Sequence, residues 1–460
     1  MNMKLSRTIK GLLTATLATS MVISMVGCGG KTDGGATAAP ATTEKAEAVK
    51  EEVKEEAKVA EPVTIDVFQF KVEMAEELQK AMDLYKTKNP NVTFNLTTVG
   101  GGQDYGAALR AKFQSGQEPT IYNIGGPQDV KDWTEKLEDL SDQGWISTAG
   151  TTLGAVTADG KTYGMPMAVE GYGVIYNKAI FEAAGVDVTQ VKDLTSMDTA
   201  FAALDAKIKA GELKDKFPLL EAVVEYPVKE TWVTGLHSSN IFLNKEFATG
   251  TDGFNAKEVK FANNADFKAY IDLMVKYTSN AKTPEKLNAV DYATQVDQGL
   301  AIERVAAIQQ GNWVFGGVNA IDPKVAENLA FLPIDGDSLP LGVPMYWSIN
   351  KSKTDLEKQA SKDFLNWLYT SDEGKDIVVN KFLAVPAFTG YDNFPAKDAL
   401  GRDIMKFQKD GKTTPWVFMG YPTNWGQQIL GVNIQKYVGG AMTWDKVISE
   451  SQAKWAEDRK

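Results

Sequence analysis

The stretch "TYGMPMAVEGYGVIYNKAIFEAAGVD", Thr162 to Asp187, changes its hydrophobic period midway. Beyond Pro166 no proline interrupts a run suited to a strand, and after Tyr176-Asn177-Lys178 apolar residues recur at helical spacing until Gly185. A strand that feeds an amphipathic helix is the unit from which helix-covered sheets are built. The unit recurs upstream. "VTIDVFQF" (63–70) alternates and is β-rich, "EMAEELQKAMDLYKTKNP" (73–90) has helical spacing and stops at Pro90, and "VTFNLTTVG" (92–100) is again a strand. A second helix, "DYGAALRAKFQSGQ" (104–117), leads into the short strand "TIYNIGG" (120–126). This alternation predicts an α/β fold with mostly parallel strands. The body from Val63 to Lys460 has about 400 residues and plentiful Trp, Phe and Tyr, enough for two cores, so two lobes are expected.

Within the opening stretch, Pro166, Ala168-Val169-Glu170 and Tyr176-Asn177-Lys178 form a series that resembles the inter-lobe crossing of the family 1 extracellular solute-binding proteins of ABC importers, to which the maltose-binding protein belongs. Other segments fall in that family's order. "QGLAIERVAAIQQGNWVFGGV" (298–318) resembles its helix and Gly-x-Trp strand, and "LAFLPIDGDSLPLGVPMYWSINKSK" (329–353) its return crossing. "QASKDFLNWLYTSDEGKDIVV" (359–379) resembles the packed helix behind, and "PTNWGQQILGVNIQKYVGGAMTWDKVISESQAKW" (422–455) the closing helices. One departure is Pro119-Thr120, where the family usually carries Pro-Asp. The resemblance implies a periplasmic-binding-protein-like fold: two lobes, each with a mostly parallel sheet covered by helices, joined by a three-segment hinge. Crossings are expected near 170, 295 and 343, giving an N-terminal lobe of 63–170 plus 296–343 and a C-terminal lobe of 171–295 plus 344–460. Such a hinge absorbs rotation while the lobes stay rigid, so a solute touching both favours the closed form that a permease would recognise.

Ligands of α/β sheets bind beyond the carboxyl ends of the strands, which places Gln69, Phe70, Asp104, Tyr105 and Gly126 on one rim. A sugar presents C–H patches on its ring faces and hydroxyls at its edges, so its site needs flat aromatic surfaces flanked by planar polar groups. The chain places Trp beside amide or hydroxyl partners at Thr231-Trp232, Asn312-Trp313, Tyr346-Trp347-Ser348 and Asn424-Trp425. In the family's sugar binders Glu170 matches a carboxylate that touches the ligand, and Trp313 and Trp425 match stacking positions. Tyr172, Trp232 and Trp347 are candidates by placement alone, and His237 in "WVTGLHSSN" is expected to be an interior or surface histidine. Trp133, Trp367, Trp444 and Trp455 lie in helical patterns and are assigned to packing. The expected ligand is a neutral oligosaccharide; the alternative is the same fold holding a polyamine, a peptide or an iron chelate.

Several classes are disfavoured. The chain carries a net charge of −11, with no basic stripe, which argues against nucleic acid and against adhesion to an anionic bilayer by charge. One histidine and one cysteine make a transition-metal site improbable, and no cofactor is expected. A glycosidase needs two carboxylates flanking the scissile bond, and the sequence places no partner for Glu170. "GGGQDYG" (100–106) lacks the Lys-Ser/Thr ending of a phosphate loop, and no nucleophile elbow is present, so a binding protein is expected rather than an enzyme.

Lys4, Arg7 and Lys10 precede a mildly apolar run, Gly11 to Val26, in the layout of a secretory signal peptide (1–27). The lone Cys28 cannot form an internal disulfide. Met25-Val26-Gly27-Cys28 resembles the lipobox of bacterial lipoproteins, which implies diacylation of Cys28, membrane attachment and a location on the outer face of the cell membrane. Residues 28–62 contain no aromatic residue and read as an unfolded tether of about 30 Å root-mean-square span. The body is expected to act as a monomer at the end of it. Replacing Cys28 with Ala should move the protein from the membrane pellet to the soluble fraction on centrifugation; a Cys28→Ala protein that still pellets would contradict the anchor.

Overall fold

A computed structural model describes residues 61–101 and 103–460. The signal peptide, Cys28 and all but the last two residues of the tether lie outside the described residues. The body is a two-lobed α/β structure. Its first segment supplies β1 (Val63–Gln69), β2 (Val92–Thr98) and β3 (Ile121–Ile124), then a small hairpin of β4 (Thr157–Ala158) with β5 (Lys161–Thr162), and the short β6 (Met165–Pro166). The second lobe begins with β7 (Glu170–Asn177) and continues with β8 (Ala222–Glu225), β9 (Val305–Gly311), β10 (Leu329–Leu332) and β11 (Leu339–Gly342). The chain then returns to the first lobe with β12 (Tyr346–Ile349) and later contributes β13 (Thr413–Pro415) to the second.

The first sheet has the order β2-β1-β3-β12-β6, with β1 parallel to β2 and β3 and β12 antiparallel to its neighbours. The second runs β13-β11-β7-β9-β8, with β10 also on β7. It is mixed rather than mostly parallel, because β7 runs against β9, β10 and β11 alike. All eight residues of β7 are buried, and its two glycines have a steric reason. A Cβ on Gly173 would sit 2.9 Å from the Leu332 carbonyl oxygen, and one on Gly171 only 3.0–3.2 Å from Leu339, Leu341 and Ile404. The helix predicted after this strand is present as Lys178–Ala183, capped by the Asn177 side chain and closed at Gly185 with φ +68°. Tyr176 and Phe181 pack into the second core.

The lobe boundaries differ from those expected. Segment 296–343 does not join the first lobe: β9, β10 and β11 all pair within the second sheet, so the chain stays there from 171 to 342. Conversely, 344–380 belongs to the first lobe, where β12 extends the sheet and the helices Asp355–Thr370 and Asp372–Asn380 pack behind it. The crossings near 170 and 343 are present, but the third is at 381–398, before the helix Ala399–Lys409 that covers β10 and β11. The cause is strand pairing: 305–342 provides three strands whose backbone hydrogen bonds are met by β7, β8 and β13 of the second sheet. The three crossings lie side by side, tied by the amide N–H of Met167 donating to Met345 O at 3.1 Å and that of Val169 donating to Val385 O at 2.8 Å. An apolar seam runs through them, from Val67, Ile121 and Trp347 in the first lobe to Ile175, Ile308 and Leu339 in the second.

Candidate functional site

Where β1 ends, Gln69 folds the chain back on itself. Its buried amide donates to Lys71 O at 2.9 Å and Thr98 Oγ1 at 2.7 Å, and accepts from the Lys71 N–H at 2.6 Å. That turn aims the Lys71 ammonium at Glu170, the first residue of β7, and at Glu73 Oε1, 2.8 Å away. The same ammonium lies 5.4 Å from the centre of the Phe70 ring and 5.7 Å from that of Trp313. Burial alone would lower the Lys71 pKa, but the charges of Glu170 and Glu73 reverse this and hold it at about 12. This ion pair joins the lobes at the base of the cleft. At its mouth they touch again: Gly126 faces Met419, Thr423 donates to Asp132 at 2.7 Å, and Arg459 donates to Gln128 at 2.7 Å.

The second lobe contributes an aromatic cluster centred on His237, which a π-helical segment, Val233–Ser238, carries into the interior. The imidazole stacks on Tyr172 at 4.2 Å and 7°, and is ringed by Trp232, Trp313, Trp416 and Phe418 at 5.3–5.9 Å. Burial, reinforced by the Lys71 charge, lowers the His237 pKa to about 3, so the ring is neutral at physiological pH. Among the described residues its buried Nδ1 has no hydrogen-bond partner, nor do Tyr172 Oη and Trp416 Nε1. Trp232 and Trp313 remain half-buried, 6.1 Å apart. Each indole N–H is engaged inside the lobe. Trp232 donates to Glu230 at 2.8 Å, and Trp313 donates to Gln310 at 3.0 Å, which donates in turn to Gln295. The Gly-x-Trp spacing has a physical cause, since the Trp313 ring folds over Gly311, where a Cβ would meet it at 2.1 Å.

The structure thus brings Phe70, Glu170, Tyr172, Trp232 and Trp313 together, with Tyr172 wholly buried behind His237. Other candidates lie elsewhere. Gln69 shapes the turn from within, and Tyr105 braces Phe70 edge-on at 6.2 Å while its hydroxyl accepts from the Asn123 N–H at 2.7 Å. Asp104 is an exposed helix cap that accepts from Ala107 N, and Gly126 is a lobe contact. Asn312 is buried and clamps the start of β7 by accepting from Gly171 N at 3.1 Å. Tyr346 and Trp347 are core residues of the first lobe, the former donating to Thr152 O and the latter to Tyr369 Oη. Trp425 is fully buried, edge-on to Trp455 at 4.8 Å, with its N–H on Ser451 O; Asn424, exposed at φ +64°, opens that turn. Both Trp347 and Trp425 are aromatic anchors of cores rather than of the cleft. Sequence reasoning missed Lys71, Glu73, Glu230, Trp416 and Phe418; for the first two, the strand-end position that singled out Phe70 was the available signal. Trp133 packs on Phe113, Trp367 on Phe364, Trp444 on Phe267 and Trp455 on Trp425, as assigned.

Two lobes, three tied crossings and an aromatic, hydrogen-bonded cleft define a solute-binding protein. The chain belongs to the bacterial extracellular solute-binding protein family, whose model matches residues 80–400. It is 25% identical over 439 residues to the maltooligosaccharide ABC transporter solute-binding lipoprotein of Streptococcus pneumoniae serotype 4, covering 90% of this chain and 89% of that one. It is 23% identical over 323 residues to the multiple sugar-binding protein of Streptococcus mutans, covering 67% and 71%. Among solved structures, a chitin oligosaccharide binding protein superposes with a TM-score of 0.70 at 21% identity, over 86% of this chain and 99% of that one. The solute-binding protein RafE in complex with raffinose gives 0.67 at 16%, over 86% and 100%.

Because the chain has one histidine, its protonation is directly readable. The unfolded chain takes up that proton near the ordinary pKa of 6.5 and the folded one only near 3, so His237 favours folding above 6.5 and loses that contribution as pH falls between those values. The His237 Cε1–H resonance should therefore stay at its neutral position from pH 7.5 to 5; a titration centred near 6.5 would contradict the buried placement.

Proposed function

We propose that the protein is the lipid-anchored extracellular substrate-binding component of an ABC importer, capturing a neutral oligosaccharide between its lobes and delivering it unchanged to a membrane permease. The observation that carries this reading is the pair of half-buried indoles, Trp232 and Trp313, whose N–H groups are engaged internally, so that they offer ring faces rather than donors. Faces of that kind suit the C–H patches of a sugar ring. The buried, mutually ligated Glu170 and Lys71 supply an acceptor and a donor beside them for hydroxyls. The relatives named for maltooligosaccharides and multiple sugars support the same class, and the naming of the maltooligosaccharide relative as a lipoprotein supports Cys28 as the anchor. Glu170 and Glu73 share the Lys71 ammonium and Glu230 holds the Trp232 indole N–H, so the carboxylates described in the cleft are engaged within the protein rather than set across a glycosidic bond.

The test is a thermal-shift and calorimetric panel of maltotriose, raffinose, xylotriose, chitotriose, spermidine and a tripeptide, with chromatography of the recovered ligand. At least one neutral oligosaccharide should raise the melting temperature and be recovered intact. Response to the amine or the peptide alone, or recovery of cleaved sugar, contradicts the reading. Trp313→Ala should weaken binding by about 1–3 kcal/mol with the fold retained, whereas Trp425→Ala should lower stability by about 3–5 kcal/mol, seen in urea titration.

A further inference from the structure

The base of the cleft is built to hold a positive charge, and the protein fills it with its own. Lys71 is 93% buried in relative terms, at 7% exposure, and Glu170 is buried to a similar degree at 6%. Around the ammonium stand two carboxylates, Glu170 and Glu73, and two ring faces, Phe70 and Trp313. Phe70 and Glu73 come from the first lobe, and Glu170 and Trp313 from the second strand system. Carboxylates with aromatic faces are the means by which proteins hold ammonium ligands. Among the described residues no other cation pairs with these two carboxylates, and the neighbouring His237 is neutral. A further carboxylate, Glu230, lies buried at 7% exposure beneath Trp232. Lys71 is thus already matched by more negative charge than it carries, and offers no uncompensated charge to an anion.

Resting on the saccharide reading above, we propose that Lys71 is a specificity-determining residue that acts as a tethered competitor: its ammonium occupies the cation site formed by Glu170, Glu73, Phe70 and Trp313 and so reserves the cleft for uncharged saccharides. An anionic sugar meets a surplus of carboxylates. A cationic sugar meets a site already taken by a competitor whose effective concentration is set by its own backbone. A neutral sugar need only share hydroxyl hydrogen bonds with the pair and displaces nothing. Removing the lysine side chain leaves Glu170 buried and without its ammonium, so that its charge is relieved either by a proton or by a small cation that fits the site.

Two arms test this. The first uses no sugar: butylammonium at tens of millimolar should raise the melting temperature of Lys71→Ala by several degrees while leaving wild type unmoved, and butanol should do neither. Equal effects of butylammonium and butanol on Lys71→Ala would overturn the cation site. The second uses Lys71→Met, which keeps the apolar stem and guards against loss of folding in the alanine variant. At pH 6 the affinity of a glucosamine trimer relative to the N-acetylglucosamine trimer should rise at least tenfold in Lys71→Met over wild type, and return to the wild-type ratio in Lys71→Arg. An unchanged ratio would overturn the selectivity. If butylammonium acts as expected but no saccharide binds any of the three proteins, the cation site stands and the sugar reading is what fails.

Discussion

The structure depends on one constraint: β7 must leave the first lobe and become the central strand of the second within a few residues. Its eight positions are all buried, and it serves three antiparallel partners, β9 on one side and β10 and β11 on the other. Burying such a strand contributes about 1.5–3 kcal/mol for each large apolar side chain, which fixes its register firmly. Its first residue, Glu170, therefore has little freedom. The hinge segments beside it are held to one another by the Met167–Met345 and Val169–Val385 backbone bonds, so the lobes have a defined axis and the cleft a defined base. Whatever binds there meets a carboxylate set by the fold rather than by a loop.

From that base the chemistry of the site follows a consistent rule: polar atoms that would compete for water are engaged, and ring faces are left. Glu230 and Gln310 hold the two indole N–H groups, Gln295 supports Gln310, and Gly311 is bare so that Trp313 can lie across it. The buried histidine stays neutral because a charged imidazole would sit in an apolar ring cluster facing the Lys71 cation. The exceptions are the buried Tyr172 Oη, His237 Nδ1 and Trp416 Nε1, which have no hydrogen-bond partner among the described residues and belong to the same cluster. A neutral, many-hydroxylated solute is the type of ligand that such a surface accepts without desolvating a charge.

Much of this was legible in the sequence, for reasons that can be named. The β-α-β start and the crossing after Pro166 were visible because strand and helix have different periods, and Asn177 and Gly185 mark the helix ends as a cap and a left-handed turn require. The lobe assignment of 296–343 failed because strand pairing is a long-range property: nothing in "VAAIQQG" says whether it pairs with β7 or with β3. Trp347 and Trp425 misled because an amide or hydroxyl neighbour occurs in cores as well as rims, and only their partners, Tyr369 and Ser451, reveal which. Lys71 was passed over since a lysine after a strand is ordinarily solvated; its burial comes from Glu170, 99 positions away.

On the reading proposed above, one solute touches both lobes at once. Hydrogen exchange read by mass spectrometry, during titration with whichever neutral oligosaccharide binds, tests it most directly. Protection should rise with a single half-saturation point in the Phe70–Glu73 turn of the first lobe and in the Trp232 and Trp313 segments of the second. Protection confined to one lobe, or two distinct saturation points, would contradict a ligand clasped between them.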